Sequence, residues 1–307
     1  MTRILEHRAG TESIGPAAAA IGVFDGVHLG HQALVSDAVA LAAERGIASC
    51  VVTFDRDPDQ VVTPEHAAPQ LTALEDKIDL LTALGPDVVL VVPFDRQLAA
   101  LSPEEFVTGV LLDAMEPRVC LVGHDFRFGT RASGDVDTLR ALGAHHEFDV
   151  VTHGLVRDGE APITSSRIRA AIAAGDVISA ARMLGRPHRL TGTVMRGQGL
   201  GHALGTPTAN LDVDPRFALP ATGVYACHAE TRGVRYPAAV SVGVAPSFRD
   251  ATCLLEAHLI GYEGDLYGAS VTVHFVERLR EQRAFSDRAA LADAIAQDVH
   301  RVGEMLS

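Results

Sequence analysis

The decapeptide GVFDGVHLGH at residues 22–31 places two histidines three residues apart among glycines and one aspartate. A metal site, a phosphate cradle and an ordinary tight turn all use such residues. A zinc pair on a helix needs a spacing of four and a third ligand, so zinc is disfavoured. His28 and His31 instead predict hydrogen-bond donors to phosphate oxygens, and Gly30 lets the backbone approach a ligand closely. A solvated histidine pair at a turn stays the alternative.

The elements around this segment strengthen the phosphate interpretation. Residues 18–24 predict a strand and residues 31–45 a helix that ends at Gly46, so the decapeptide joins a strand to a helix N-terminus, which binds anions. Strands and helices alternate to about residue 185, which predicts an α/β fold with a doubly wound, Rossmann-like parallel sheet. Further apolar strands are expected at 48–54, 88–94 and 118–123.

Two later segments offer polar groups of the same kind. ITSSRIR (163–169) places Ser165, Ser166 and Arg169 at another helix start, where hydroxyls and a guanidinium suit polyphosphate oxygens. Helix capping alone also explains these serines. GHDFRFGTRASG (123–134) follows a strand and is either a nucleotide-binding loop or a long turn.

The second half of the chain has a different pattern. Strand-like segments follow one another after residue 187 without intervening helices, which predicts an antiparallel barrel or sandwich. One amphipathic helix is expected at 286–306. We therefore divide the chain into domains 1–186 and 187–307.

Composition excludes several classes of protein. The formal charge of -13 argues against a nucleic-acid partner, because binding to phosphate backbones depends on clustered cations. The four cysteines are widely spaced, which fits reduced thiols better than zinc ligands or disulfides. No apolar run approaches the roughly 18 residues that a membrane span needs. We expect a cytoplasmic protein without a membrane partner, as a monomer or a homo-oligomer.

GVFDGVHLGH, GHDFRFG and ITSSRIR, in this order, resemble the adenylyltransferase module of bacterial bifunctional riboflavin kinase/FAD synthetases. His28, Gly30 and His31 match the HxGH signature of nucleotidyltransferases. MRGQGLGHALGTPTANL (195–211) resembles the riboflavin kinase segment of that family, with its PTAN motif at residues 207–210. The resemblance spans roughly residues 20 to 300.

The resemblance implies a Rossmann-like nucleotidyltransferase domain and a C-terminal antiparallel β-barrel riboflavin kinase domain. Riboflavin and ATP would give FMN, and FMN and a second ATP would give FAD and pyrophosphate. His28 and His31 would steady the transferring phosphate, Glu256 would be the kinase base, and Thr208 and Asn210 would hold Mg2+. The implied nucleotide-binding residues are Gly22, Phe24, Asp25, Gly26, Gly30, Asp125, Gly129, Ser165, Ser166, Arg169, Gly197, Gly199 and Gly201.

Two departures from the family pattern keep alternatives open. Arg56 and Asp57 stand where relatives usually have Pro-His, and a carboxylate beside phosphates is unfavourable unless Arg56 or Mg2+ offsets it. Ala245 replaces an amide side chain in the kinase half. The alternatives are one inactive module, another nucleotide such as CTP, a modified flavin, or a flavin-binding regulator without turnover.

Overall fold

The structure is a computed structural model that describes residues 2–8, 10, 12–196, 208–244, 253–283 and 288–306. It contains two compact units, Met1–Ser165 and Ser166–Ser307. The division at residues 186 and 187 stays a prediction.

The first unit is built on a six-stranded parallel sheet in the order β1-β4-β3-β2-β5-β6. Its strands are β1 (Arg3–Glu6), β2 (Pro16–Ile21), β3 (Ala48–Phe54), β4 (Val88–Val92), β5 (Glu116–Gly123) and β6 (Asp149–His153). The prediction of a first strand at 18–24 misses β1, which precedes it. β1 is a short edge strand with three exposed residues out of four, so it carries no apolar run for sequence reasoning to detect.

Helices cover both faces of this sheet, as the prediction of a doubly wound fold requires. Ala17 and Ala19 of β2 belong to one apolar core, whereas Ala18 and Ala20 belong to the other. Alternate residues of a strand point to opposite faces, so the four alanines bury both sides of this central strand.

α1 (Leu29–Arg45) begins directly after the decapeptide turn and ends at Gly46, whose φ of 64° is the left-handed cap that glycine accommodates. The other α-helices described for this unit are α2 (Asp59–Val62), α3 (Leu74–Thr82), α4 (Arg96–Ala100), α5 (Pro103–Phe106), α6 (Leu112–Ala114) and α7 (Val136–His146). A π-helical turn at Val107–Leu111 joins α5 to α6. A short hairpin of β7 (Arg157–Asp158) and β8 (Ala161–Pro162) precedes α8 (Ser165–Ala173).

The second unit contains a closed antiparallel barrel, which decides between the two predicted architectures. The strand order is β10-β13-β12-β11-β14-β9. Its strands are β9 (His188–Met195), β10 (Ala209–Asp212), β11 (Gly223–Thr231), β12 (Val234–Val244), β13 (Cys253–Leu259) and β14 (Ser270–Arg280). Alternate residues such as Leu190, Tyr225 and Val273 fill the interior.

Two helices flank the barrel in the sequence, α9 (Val177–Leu184) before it and α10 (Arg288–Leu306) after it. The Arg280 guanidinium donates to both carboxylate oxygens of Asp298, at 2.7 to 3.2 Å, and so anchors α10 to the end of β14. Val302 of α10 packs in a small apolar cluster with Ala226 and Ala239 of the barrel wall. None of the helices among the described residues combines the length and apolarity needed to cross a bilayer.

Candidate active sites

The turn between β2 and α1 is held in a strained backbone conformation. Phe24, Gly26 and Val27 have φ values of 56°, 83° and 38°. Such values cost a residue other than glycine on the order of 1–3 kcal/mol, and they persist only where packing enforces them. Phe24 and Val27 are each 1% exposed, so burial of their side chains supplies that enforcement. A Cβ on Gly22 would lie only 3.2 Å from the Phe24 ring.

The two histidines of the turn are locked against each other. His28 is the N-cap of α1, and its Nδ1 accepts a hydrogen bond from the His31 amide at 3.3 Å. Their rings stack with centroids 3.6 Å apart, and the Phe24 ring meets His31 edge-on at 5.3 Å. Because Nδ1 of His28 accepts, the neutral ring carries its proton on Nε2, which is a donor.

His31 is held in its neutral form. Burial lowers the pKa of His31 well below its usual value, and electrostatic interactions with His28 and Lys77 lower it further. Its buried Nδ1 has no hydrogen-bond partner within the described part of the chain. A buried nitrogen without a partner is costly, so this atom requires an explanation, and a bound ligand is one.

Asp25 ties the turn to two distant segments. Its carboxylate is 4% exposed and accepts from the Leu71 amide, at 2.9 and 3.1 Å to its two oxygens. Its carbonyl accepts from the hydroxyl of Ser165, the first residue of α8, at 3.0 Å. Asp25 therefore fixes the turn through backbone contacts.

The loop after β5 lies at the same edge of the sheet, because β5 pairs in parallel with β2. The Asp125 side chain is 77% exposed, with Oδ1 3.7 Å from Nδ1 of His124, and so is open to a ligand. Gly129 has a φ of 71°, and a Cβ there would lie 2.8 Å from Pro103. The close packing against Pro103 is by itself a sufficient reason for glycine at this position.

A second polar cluster lies on the outer face of the barrel. Glu256 of β13 stands opposite Asn210 of β10 on one side and Ser241 of β12 on the other. Cβ atoms of directly opposed residues lie about 4.5–5.5 Å apart. The flanking residues Leu255 and Ala257 are fully buried inside the barrel, so Glu256 points outward.

Glu256 is half-buried, and this burial raises the pKa of its carboxyl above the usual value. A raised pKa makes the carboxylate a stronger base, as proton abstraction from a hydroxyl requires. The neighbouring Ser241 hydroxyl accepts a hydrogen bond from the Gln282 amide at 2.9 Å, which fixes the border of this cluster.

Comparison with known proteins gives the same division into two functions. The model of the FAD synthetase family matches residues 11–167, and that of riboflavin kinase matches residues 184–306. A bifunctional riboflavin kinase/FMN adenylyltransferase from Pseudomonas fluorescens is 40% identical over 92% of this chain and 90% of the relative. The chain belongs to the bifunctional riboflavin kinase/FMN adenylyltransferase family. A member from Bacillus subtilis (strain 168) is 33% identical over 95% of this chain and 93% of its own length.

A solved structure described as a macrolide-efflux protein from Streptococcus pneumoniae has the same fold. It is 28% identical, and the match has a TM-score of 0.86 over 97% of each chain. Both halves of the bifunctional family architecture thus recur in an experimentally determined chain of similar length.

The structure brings most of the predicted adenylyltransferase residues together around one turn. These are Gly22, Phe24, Asp25, Gly26, His28, Gly30, His31 and, through its bond to Asp25, Ser165. Asp125 and Gly129 lie on the neighbouring loop, and Ser166 and Arg169 follow Ser165 on α8. Their individual roles stay predictions drawn from the family.

On the kinase side, the structure places Asn210 beside Glu256, and Thr208 directly precedes β10. Gly197, Gly199, Gly201 and Ala245 lie outside the described residues.

Sequence reasoning missed Lys77, although a signal was present. Lys77 lies on α3 between Leu74 and Leu81, at the spacing of the apolar stripe, and is 3% exposed. A lysine on the buried face of a helix requires polar partners. Sequence reasoning also missed that the Arg56 guanidinium donates a hydrogen bond to the Asp55 carboxylate at 2.9 Å. Arg56 was predicted to offset the negative charge of Asp57, and Lys77 is another candidate for that role.

Gly30→Ala is expected to lower kcat/KM for FMN adenylylation about tenfold while the protein stays folded. A Cβ on Gly30 would lie 3.1 Å from Cε1 of His28, and that ring cannot retreat because His31 stacks on it. Alanine also favours a helix by up to about 1 kcal/mol, so the protein stays folded. Gly109→Ala is the control, since its Cβ would meet open space. Wild-type kinetics in Gly30→Ala would contradict the need for a tight turn.

Proposed function

We propose that this protein phosphorylates riboflavin to FMN with ATP and then adenylylates FMN to FAD with release of pyrophosphate. The proposal rests on one observation. Each of the two regions that match a family model contains its own cluster of polar side chains. The first half has the stacked histidines at the start of α1, and the second has the Glu256 and Asn210 pair on the barrel. Each cluster suits the phosphate chemistry of its family.

In the adenylyl transfer, a phosphate oxygen of FMN attacks the α-phosphorus of ATP. A new P–O bond forms, the bond to the bridging β-oxygen breaks, and pyrophosphate leaves. N–H groups of His28 and His31 donate to the phosphate oxygens as negative charge builds up on them. From the family motif, Ser165, Ser166 and Arg169 are assigned to the β and γ phosphates, and Asp125 to the nucleoside.

In the kinase reaction, Glu256 takes the proton from the 5′-hydroxyl of riboflavin as that oxygen attacks the γ-phosphorus of ATP. ADP leaves with the electrons of the broken P–O bond, and the proton stays on the carboxyl of Glu256. The raised pKa of Glu256 favours this transfer.

Mg2+ is the proposed cation in both reactions. Mg2+ usually binds through one or two protein oxygens together with substrate phosphates. The amide oxygen of Asn210, set beside the Glu256 carboxylate, fits such a partial ligand set, and Thr208 is the proposed second ligand. Within the described residues, no cluster of three or more His, Cys, Asp or Glu side chains forms a complete metal cage. When bound, Mg2+ neutralises charge on the phosphate oxygens.

Asp57 is directed into the protein, so it gives no reason to expect a nucleotide other than the ATP that the family uses. Asp57 is 6% exposed, and its charge raises the pKa of buried Lys77, which identifies the two as charge partners. A carboxylate matched in this way adds little repulsion toward nucleotide phosphates.

Incubation of the pure protein with Mg2+, riboflavin and either ATP or CTP, followed by chromatography of the flavins, tests the proposal. FMN and FAD are expected with ATP. FMN without FAD would mean that the adenylyltransferase module is inactive. A flavin–cytidine dinucleotide would establish an altered nucleotide specificity. Tight flavin binding without any product would indicate a flavin-binding regulator without turnover. A parallel reaction supplied with FMN separates the two steps.

We further propose that these reactions take place in the cytoplasm, with small-molecule substrates as the partners. Cys50, Cys120 and Cys227 are buried free thiols, in keeping with a reducing compartment. Burial raises the pKa of Cys50 and of Cys120 to about 12, so both stay protonated and unreactive.

A further inference from the structure

Lys77 is the only lysine in a chain that otherwise carries arginine as its basic residue, and it is buried. Lysines are almost never fully buried unless they are paired. A buried ammonium is costly because it loses its hydration, so its surroundings must supply hydrogen bonds and opposite charge.

The hydrogen bonds of Lys77 join the ends of two neighbouring strands. Nζ donates to the carbonyl of Phe54 at 2.7 Å, at the end of β3, and to the carbonyl of Val23 at 3.1 Å, just after β2. The Thr53 hydroxyl donates to the same Val23 carbonyl at 3.1 Å. Val23 directly precedes the residues with positive φ, so these bonds fix the point at which the strained turn begins.

The charge of Lys77 is matched by three aspartates. Burial lowers the pKa of the Lys77 ammonium, and Asp57, Asp25 and Asp55 in turn raise it. Asp25 belongs to the turn itself, and Asp57 follows β3. Lys77 thus lies within electrostatic range of carboxylates on two loops, one of which carries the histidines.

We infer that Lys77 is a positioning residue for adenylyl transfer, fixing the turn at residues 23–27 that carries the two histidines and balancing the buried carboxylates around it. The inference rests on the proposed FMN adenylylation. A lysine suits this place better than an arginine, because a compact ammonium on a flexible stem can bridge two carbonyls, whereas a planar guanidinium requires a wider space.

Lys77→Met tests the inference in the full chain. We expect kcat/KM for adenylylation of supplied FMN to fall about 10- to 100-fold, because the histidines lose their fixed position. FMN formation from riboflavin should stay at the wild-type level, which shows that the second unit is folded. Arg118→Met is the matched control, since Arg118 forms an exposed ion pair with Glu116 at 3.1 Å.

The pH profile separates positioning from a merely structural role. The titratable groups around Lys77 are Asp25, Asp55, Asp57, His28 and His31. Lys77 lowers the pKa of His31, so without the ammonium that pKa rises and the acidic limb of the adenylylation profile moves to higher pH. A loss of folded protein that does not vary with pH would scale the rate equally at every pH, so the folded fraction is measured across the same pH range. Lys77→Arg keeps the charge, so its acidic limb should stay near wild type although its rate is reduced.

A measurement on the unaltered protein avoids any folding defect. Lysine labelled with 13C at the ε carbon gives one side-chain signal, because the chain has one lysine. Its titration midpoint should lie below the ordinary lysine value, and the signal should shift when a non-hydrolysable ATP analogue is added.

Wild-type kinetics and a wild-type pH profile in Lys77→Met would overturn the inference. Absence of FAD formation by the wild-type protein would instead overturn the proposed function.

Discussion

His28→Ala is expected to lower FMN adenylylation about 10²- to 10³-fold, because one preorganised donor to the transferring phosphate is lost. FMN formation from riboflavin should be retained. His28 is 6% exposed, caps α1 through its Nδ1 and stacks on His31, so its removal affects both histidines. The assays use purified protein, with riboflavin and ATP for one step and FMN and ATP for the other.

His28→Ser separates catalysis from helix capping. Loss of an N-cap costs about 1 kcal/mol, which alone would destabilise the alanine variant. Serine restores the cap acceptor without an imidazole, so we expect a melting temperature near wild type but the same loss of adenylylation. His300→Ala removes a histidine that is 79% exposed and should leave both reactions unchanged. Recovery of adenylylation in His28→Ser would show that His28 serves only as a cap.

Glu256→Gln is expected to lower FMN formation from riboflavin about 10²- to 10⁴-fold, since glutamine cannot accept the hydroxyl proton. Adenylylation of supplied FMN should continue. Glu304→Gln, at a position on α10 that is 69% exposed, is the matched control. Equal loss of both activities in Glu256→Gln would contradict two separate sites.

The pH dependence of the kinase reaction gives an independent check on Glu256. Burial raises the pKa of this carboxyl above its ordinary value of 4.5, and the ionised form is the active base. Activity should therefore fall as the pH drops through this raised pKa, at a higher pH than for an exposed glutamate. The residual activity of Glu256→Gln should lack this acidic limb.

Local sequence patterns were sufficient to predict the helices and strands that have an apolar run or a capping residue of their own. The apolar run at 48–54 coincides with β3, and Gly46 ends α1 as expected, because strand burial and helix capping depend on neighbouring residues. The decapeptide lies at a strand-to-helix turn for the same reason. The edge strand β1 lacked such a signal and was missed.

The sequence by itself determined the two-part organisation, the β-α crossover at the histidines and the polar residues that match the family. The barrel in the second half was predicted through the family resemblance, whereas strand patterns alone left a sandwich open. Only the tertiary structure decided that Asn210 lies beside Glu256 and that Lys77 reaches the carbonyls of Val23 and Phe54. These contacts join residues far apart in the chain. They depend on strand order and register, which arise from packing of the whole sheet or barrel, whereas propensity and periodicity act only between near neighbours.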